Sequence, residues 1–407
     1  MYSKGRYFLL QSLVMLVSPI TSFLIALRFY KSTVSQIFML VFAFYFGMHF
    51  YLAWDISKHY VNMRMFYCDK SLTEILNNPF AMSDGLDFYH VALKYIISRF
   101  TDSREIFAGV VCVIYSSVFL FFFNQFKRFY NNFLPVSCGL LLLCVVFVVE
   151  FYWYQGVRFW LAAFFFAGFY LKYVNTGKIQ FLLISTLSVL IHYTLVNVFL
   201  ILALNWVLSK FWVWFRVILF GISLFYRSLS IDFMGWIIKN VPGLDLGKRT
   251  DPNVHESLVR RVQKMRATNN IFYSHRSEAI IILGILILMI LWSRKADFSK
   301  KYLQLLFFAL TLYTVSNFAY AELIFFERFM KITALMFYCF LFITACQNYE
   351  KIKGVSLILM ILTSIPLSFE ILTQVVEMRE HLFYSELWFG NFFIKWTGGM
   401  TDAHGRW

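Results

Sequence analysis

Glu150–Asn197 reads EFYWYQGVRFWLAAFFFAGFYLKYVNTGKIQFLLISTLSVLIHYTLVN. Arg158 follows the aromatic group Tyr152-Trp153-Tyr154 where an apolar run opens, and His192 interrupts a later apolar run. Hydrocarbon makes ionisable side chains costly, so such positions mark candidate functional groups. As one straight helix, Ile179–Leu208 would be about 45 Å long at about 1.5 Å per residue, against about 30 Å of hydrocarbon. It is therefore either one long tilted span or two short ones folded back at His192. We take the second reading, because it keeps the basic cluster Arg294–Lys301 on the same side as the other basic connectors.

The same pattern recurs outward from this stretch. The chain of 407 residues is 60% hydrophobic and 14% charged, with 50 Phe and 24 Tyr, which does not describe a soluble globule. Spans are predicted at roughly 7–27, 33–54, 105–124, 133–152, 157–174, 179–191, 193–209, 212–229, 278–293, 301–320, 329–346 and 354–371. The predicted fold is thus all-α, a polytopic integral membrane protein of about 12 transmembrane helices forming one domain over residues 1–371. Tyr7–Leu27 lacks a short apolar core with a small-residue cleavage site and reads as a retained span.

The net charge of +15 is dispersed and forms no nucleic-acid-type tract. Basic residues fall in short connectors: Arg28/Lys31, Lys127/Arg128, Lys172/Lys178, Lys210/Arg216, Arg294–Lys301 and Lys351/Lys353. Basic connectors stay cytoplasmic, so both termini and the loops 55–105 and 230–277 are expected to face outward. The six cysteines show no CxxC spacing and five lie in apolar runs, so neither a disulfide framework nor a metal site is expected. No Gly-rich phosphate loop, HExxH or GxSxG occurs, and no cofactor is implied.

The first outward loop holds the amphipathic stretch Asp87–Arg99, DFYHVALKYIISR. In the second, Asp251-Pro252 offers an N-cap and first helical residue. The helix that follows puts Leu258, Val262 and Met265 on one face and Arg261, Lys264 and Arg266 largely on others, as at a membrane surface. The tail 372–407 reads as interfacial, with Trp388 and Trp396 as anchors.

Each candidate residue has an ordinary reading beside a chemical one. Arg158 either snorkels to the interface or binds an anion, for which its rigid, permanently charged fork suits phosphate oxygens. His192 is either a helix-turn residue satisfied by a carbonyl or a proton acceptor, with an ordinary pKa near neutrality. Glu322, Glu327 and Arg328 either form a local ion pair or contribute Arg328 to the same anion. Asp55, in Asp55-Ile56-Ser57-Lys58-His59-Tyr60, either marks a charged boundary or orients a sugar hydroxyl, with Lys58 and Tyr60 beside it. The basic loop residues Arg260, Arg261, Lys264 and Arg266 either face lipid headgroups or gather a diphosphate.

Taken together, Asp55-x2-Lys58-His59-Tyr60, Arg158 in GVRFWLAAFFFAG, His192-Tyr193-Thr194 and Glu327-Arg328 resemble the EpsG/Wzy-type polysaccharide (O-antigen) polymerases over most of the chain. Lys58 stands where that family has arginine, and Thr194 where it has serine. The resemblance implies a metal-independent glycosyltransferase with GT-C-like architecture in the bacterial inner membrane and its active site facing the periplasm. Its substrates would be undecaprenyl-diphosphate-linked oligosaccharides, donor and acceptor, with membrane lipids and a chain-length regulator as partners and no nucleic acid. Arg158 and Arg328 would hold the donor diphosphate, and His192, or else Asp55, would take the acceptor proton.

Other readings carry their own signatures. An O-antigen ligase uses the same arginine chemistry but would be needed for capping with a single repeat unit. A lipid-linked oligosaccharide flippase would leave substrate on the cytoplasmic leaflet when lost, and a membrane acyltransferase would change acetyl content. Transporters place polar groups at the midplane between broken helices in paired halves, a pattern the sequence does not show.

Overall fold

The computed structural model describes residues 4–49, 54–78, 87–130, 134–149, 158–211, 214–224, 271–319 and 323–382. All regular elements among them are helical, and the described residues contain no strand. In order they are α1 (Lys4–Val17), α2 (Pro19–Arg28), α3 (Thr33–His49), α4 (Trp54–Phe66), α5 (Leu72–Asn77) and α6 (Phe88–Ser98). Then come α7 (Arg104–Asn124), α8 (Val136–Phe147), α9 (Phe159–Thr176), α10 (Ile179–Ser185), α11 (Ser188–Ile191) and α12 (Val196–Leu208). The last are α13 (Trp214–Leu224), α14 (Ile271–Ser293), α15 (Lys300–Phe318), α16 (Leu323–Gln347), α17 (Tyr349–Ile352) and α18 (Ser356–Leu382).

The chain forms two compact units, one from Met1–Arg128, Glu150–Leu195 and Ile371–Trp407, the other from Phe129–Val149 and Val196–Glu370. In the first unit α7 packs against both α3 and α9. The α3–α7 approach is backbone on backbone. A Cβ at Gly47 would sit 2.5 Å from the Ala108 carbonyl oxygen and 2.8 Å from the Gly109 Cα. Small residues at a crossing are how helices come this close. At Gly168 of α9 an added Cβ would meet the Phe121 ring at 2.8 Å.

The first apolar run departs from the expected single span. Pro19 has no amide hydrogen and disfavours helix at the residue before it, and Ser18 is accordingly extended, at φ −147° and ψ 93°. The chain folds back there, so that Gln11 Nε2 donates to the Ser22 carbonyl at 2.6 Å. The run is a hairpin of two short helices, not one crossing.

The second hairpin builds the site. Gly177, at φ 72°, ends α9 in the left-handed region, which glycine enters without a Cβ penalty. The chain then returns along α9 as α10 and α11. Ser185 and Thr186 hydroxyls donate back to the Leu182 and Leu183 carbonyls, bonding that competes with the ladder and bends helices. The helix breaks again at His192, extended at φ −149° and ψ 115°. Residues 158 and 192, the two ends of this hairpin, therefore meet.

In the second unit α16 is the most enclosed helix, with Ile332, Leu335, Tyr338 and Phe342 all buried, and α8, α14 and α15 pack on it. Asn348 accepts from the Asp297 amide at 2.7 Å, and Lys351 pairs with Asp297 at 2.6 Å. Two of the basic connectors thus share one end of this unit. Arg216, expected only to set orientation, is buried and donates to the Leu208 and Asn205 carbonyls. It adds a second donor to carbonyls of the last turn of α12, which also accept from the Ser209 and Phe211 amides.

Two described stretches, Arg104–Phe129 and Arg328–Gln347, are long and apolar enough to cross a membrane, and a set of shorter apolar helices, among them α3, α8 and α12, runs 10–17 residues. The last helix does not stop at residue 371 as expected but continues to Leu382, inside the predicted tail. Trp388, Trp396 and the helix expected after Pro252 lie outside the described residues.

Helix α5 carries a capping box: Glu74 accepts from the Ser71 amide at 2.7 Å and from its hydroxyl at 2.8 Å. These hydrogen bonds hold the Glu74 carboxyl below its usual range, the backbone one contributing most. A depressed folded value stabilises above the ordinary glutamate range and is lost as pH falls through the folded value. Protection of the Ser71 amide relative to its intrinsic exchange rate is therefore expected to persist through neutral pH and to be lost only below the ordinary glutamate range. Loss of protection already at that ordinary range would show that the box does not form.

Candidate functional site

Asp87 is the centre of the site. It begins α6 at the N-cap position, where an aspartate normally accepts a first-turn amide, yet its side chain makes no cap hydrogen bond. Instead it is fully buried and turned toward residues far along the chain. Its Oδ2 accepts from Arg158 Nη1 at 3.2 Å, and its Oδ1 accepts from the Tyr193 amide at 2.8 Å. His192 Nδ1 lies 3.6 Å from Oδ1, a charge contact and not a full hydrogen bond.

A buried carboxylate persists only with such partners. Arg158 is itself awkwardly placed, at the N-cap of α9, because a cation is disfavoured at the positive end of a helix dipole. Asp87 offsets that cost. Arg158 keeps 19% of its side chain exposed against 0% for Asp87.

His192 is held from several sides. Its backbone amide donates to the Ser188 carbonyl at 2.9 Å. Its ring stands edge-to-face on Phe159, centroids 5.5 Å apart, and Thr194 Oγ1 lies 3.3 Å from Nδ1. The Thr194 amide is 3.5 Å from the same nitrogen. Nδ1 thus faces a carboxylate oxygen, a hydroxyl that can donate or accept, and an amide donor.

Behind Asp87, a buried polar ladder fastens α6 to α4. The His59 and His90 rings lie 5.2 Å apart. One turn further, Lys94 donates to Asn62 at 2.6 Å and sits 4.8 Å over the Tyr67 ring. His59, His90 and Lys94 are all fully buried. Apolar packing by Ile56, Met63, Val91 and Phe107 surrounds them. Burial also pushes the Tyr89 phenol up from its ordinary range.

The structure thus brings Arg158 and His192 to one carboxylate, that of Asp87, which with His90 and Lys94 belongs in sequence to the amphipathic stretch Asp87–Arg99. Lys58 is exposed on α4, while Tyr60 is half-buried there and donates to the Asp102 carbonyl at 3.1 Å. Arg328 is half-buried near the start of α16, in the other unit. Asp55 and Glu327 stand on α4 and α16, but their side chains, like Glu322, Arg260, Arg261, Lys264 and Arg266, lie outside the described residues. Cys68, the cysteine of the polar loop, has its thiol raised by burial and then by Asp102 and Asp69, which does not favour a reactive thiolate. Among the described residues no three His, Cys, Asp or Glu side chains gather as metal ligands would. Compared with family models, curated proteins and solved structures, the chain matches none.

Proposed function

We propose that this chain is a polytopic inner-membrane glycosyltransferase that polymerises undecaprenyl-diphosphate-linked oligosaccharides at the periplasmic face. The observation that carries the reading is the convergence of Arg158 and His192, the two residues singled out for anion binding and proton transfer, on one buried carboxylate. Exposed apolar side chains along α1, α10, α12 and α18, such as Leu9, Leu183, Leu200 and Leu357, suit lipid contact. They support about 12 crossings or membrane-inserted helices in the orientation set by the basic connectors.

In this reading the terminal hydroxyl of the acceptor repeat attacks the anomeric carbon of the donor chain. The carbon–oxygen bond to undecaprenyl diphosphate breaks, and the bonding pair leaves with the diphosphate. Arg158 stabilises that departing charge as a preorganised donor aimed at developing negative charge. His192 takes the hydroxyl proton. Asp87 lowers the net charge beside Arg158, so the site exchanges some diphosphate affinity for orientation.

Reconstitution with purified lipid-linked repeat units tests this. A ladder of polymer with stoichiometric release of undecaprenyl diphosphate is the expected result. Transfer of a single repeat to lipid A-core alone would make the chain a ligase, and intact lipid-linked substrate would exclude both.

A further inference from the structure

We propose that Asp87 is a positioning residue that orients Arg158 with one carboxylate oxygen and His192 with the other, tying the donor side of the reaction to the acceptor side. This rests on the proposed glycosyl transfer only for its activity readouts.

Three features of the chain single Asp87 out. It gives up the stabilising cap of its own helix and faces residues 71 and 106 positions away. It is the fully buried member of its pair with Arg158, so the pairing is not a surface contact that thermal motion and salt dissolve. Its two oxygens are also divided, Oδ2 to Arg158 and Oδ1 to the Tyr193 amide beside His192. Holding Tyr193 fixes the backbone on which His192 is mounted, and the carboxylate charge stands 3.6 Å from the ring's Nδ1.

Among the described residues, four charged or titratable groups stand on the elements packed at His192. The start of α6 contributes Asp87 and, at the next turn, His90; the start of α9 contributes Arg158; the segment of His192 itself contributes Tyr193. Asp87 is the one carboxylate among these four, and a carboxylate at this distance favours the imidazolium. It therefore stabilises the protonated state that His192 reaches when it accepts a proton. The substitution Asp87→Asn keeps the shape of the side chain, and its neutral amide could still accept from Tyr193. What it removes is the charge effect on His192 and the grip on Arg158.

The test uses the full chain in detergent with Asp87→Asn and Asp87→Glu. In Asp87→Asn, kcat is expected to fall about 100-fold or more, with a smaller rise in donor KM. The acid limb of kcat/KM, which reports formation of neutral His192, should move to lower pH. Asp87→Glu should keep the limb in place and recover part of kcat. A residue that merely supports the fold would lower turnover at every pH and leave the limb unmoved, and that result would overturn the proposal. An independent arm follows the His192 ring by nitrogen NMR through a pH titration, its signal identified by loss in His192→Gln. Titration at lower pH in Asp87→Asn supports the positioning role even if the chain polymerises nothing, in which case only the reaction assignment fails. Identical titration in both proteins overturns the positioning role whatever the reaction.

Discussion

Replacing Arg158 by alanine is expected, under the proposed polymerase function, to reduce polymer formation by at least about 100-fold, the scale of losing one preorganised charge-stabilising donor. It should also destabilise the first unit, which distinguishes this side chain from one that only snorkels. Asp87 would be left buried without this cation, at a cost of about 3 kcal/mol. The low end of that range applies because Arg158 is part-exposed. Arg158→Lys should also turn over poorly, since a point charge does not reproduce the fork. The double variant Arg158→Ala/Asp87→Asn separates the two effects. Removing the stranded charge should recover most of the lost thermal stability and none of the turnover. Polymer yield and melting of the detergent-solubilised protein are the measurements. Near-normal polymer from Arg158→Ala would remove Arg158 from the reaction.

Gly47→Val is expected to have the largest effect on folding. Its Cβ would lie 2.5 Å from a backbone oxygen and 2.8 Å from a backbone carbon of α7, and neither atom can swing aside as a side chain can. Either α3 and α7 separate along their length or the protein does not accumulate, at a cost of about 3 kcal/mol or more. Gly109→Ala and Gly168→Ala meet the Phe44 and Phe121 rings, which have some freedom to move, and should cost less. Gly139→Ala, whose nearest neighbour would be Leu134 at 3.8 Å, is the control expected to fold normally. Size-exclusion profiles of the four variants rank them, and a monodisperse Gly47→Val would show that the crossing is looser than described.

The helices themselves are legible in the sequence because apolar runs of this length leave few alternatives. The predicted spans at 105–124, 301–320 and 329–346 each fall on one helix. The run at 7–27 misleads because hydropathy averages over Pro19, whereas the backbone cannot: one missing amide and one displaced neighbour turn a span into a hairpin. Arg158 and His192 are visible because each interrupts an apolar pattern.

Asp87 is not visible in that way, because it sits in a polar loop where an acid is unremarked. The signal is its spacing to His90 and Lys94, which places the three along one stripe of a helix. In sequence that stripe reads as the solvent side of an amphipathic segment, but it is buried against α4. Periodicity tells which residues share a face and not what the face meets. Arg216 shows the same limit, since a basic connector residue turns out to be donating to the end of α12.

The separations of 71 and 106 residues between Asp87 and its partners also set an order of assembly. A chain is made from its N-terminus onward, so α6 is complete long before Arg158 exists and longer still before Tyr193 does. Until then Asp87 has no reason to leave water and every reason to cap its own helix. The start of α6 must change allegiance once the α9–α11 hairpin has closed. The candidate site is thus a late product of synthesis, and a nascent chain that stops short of residue 193 carries these helices without the arrangement that gives them chemistry.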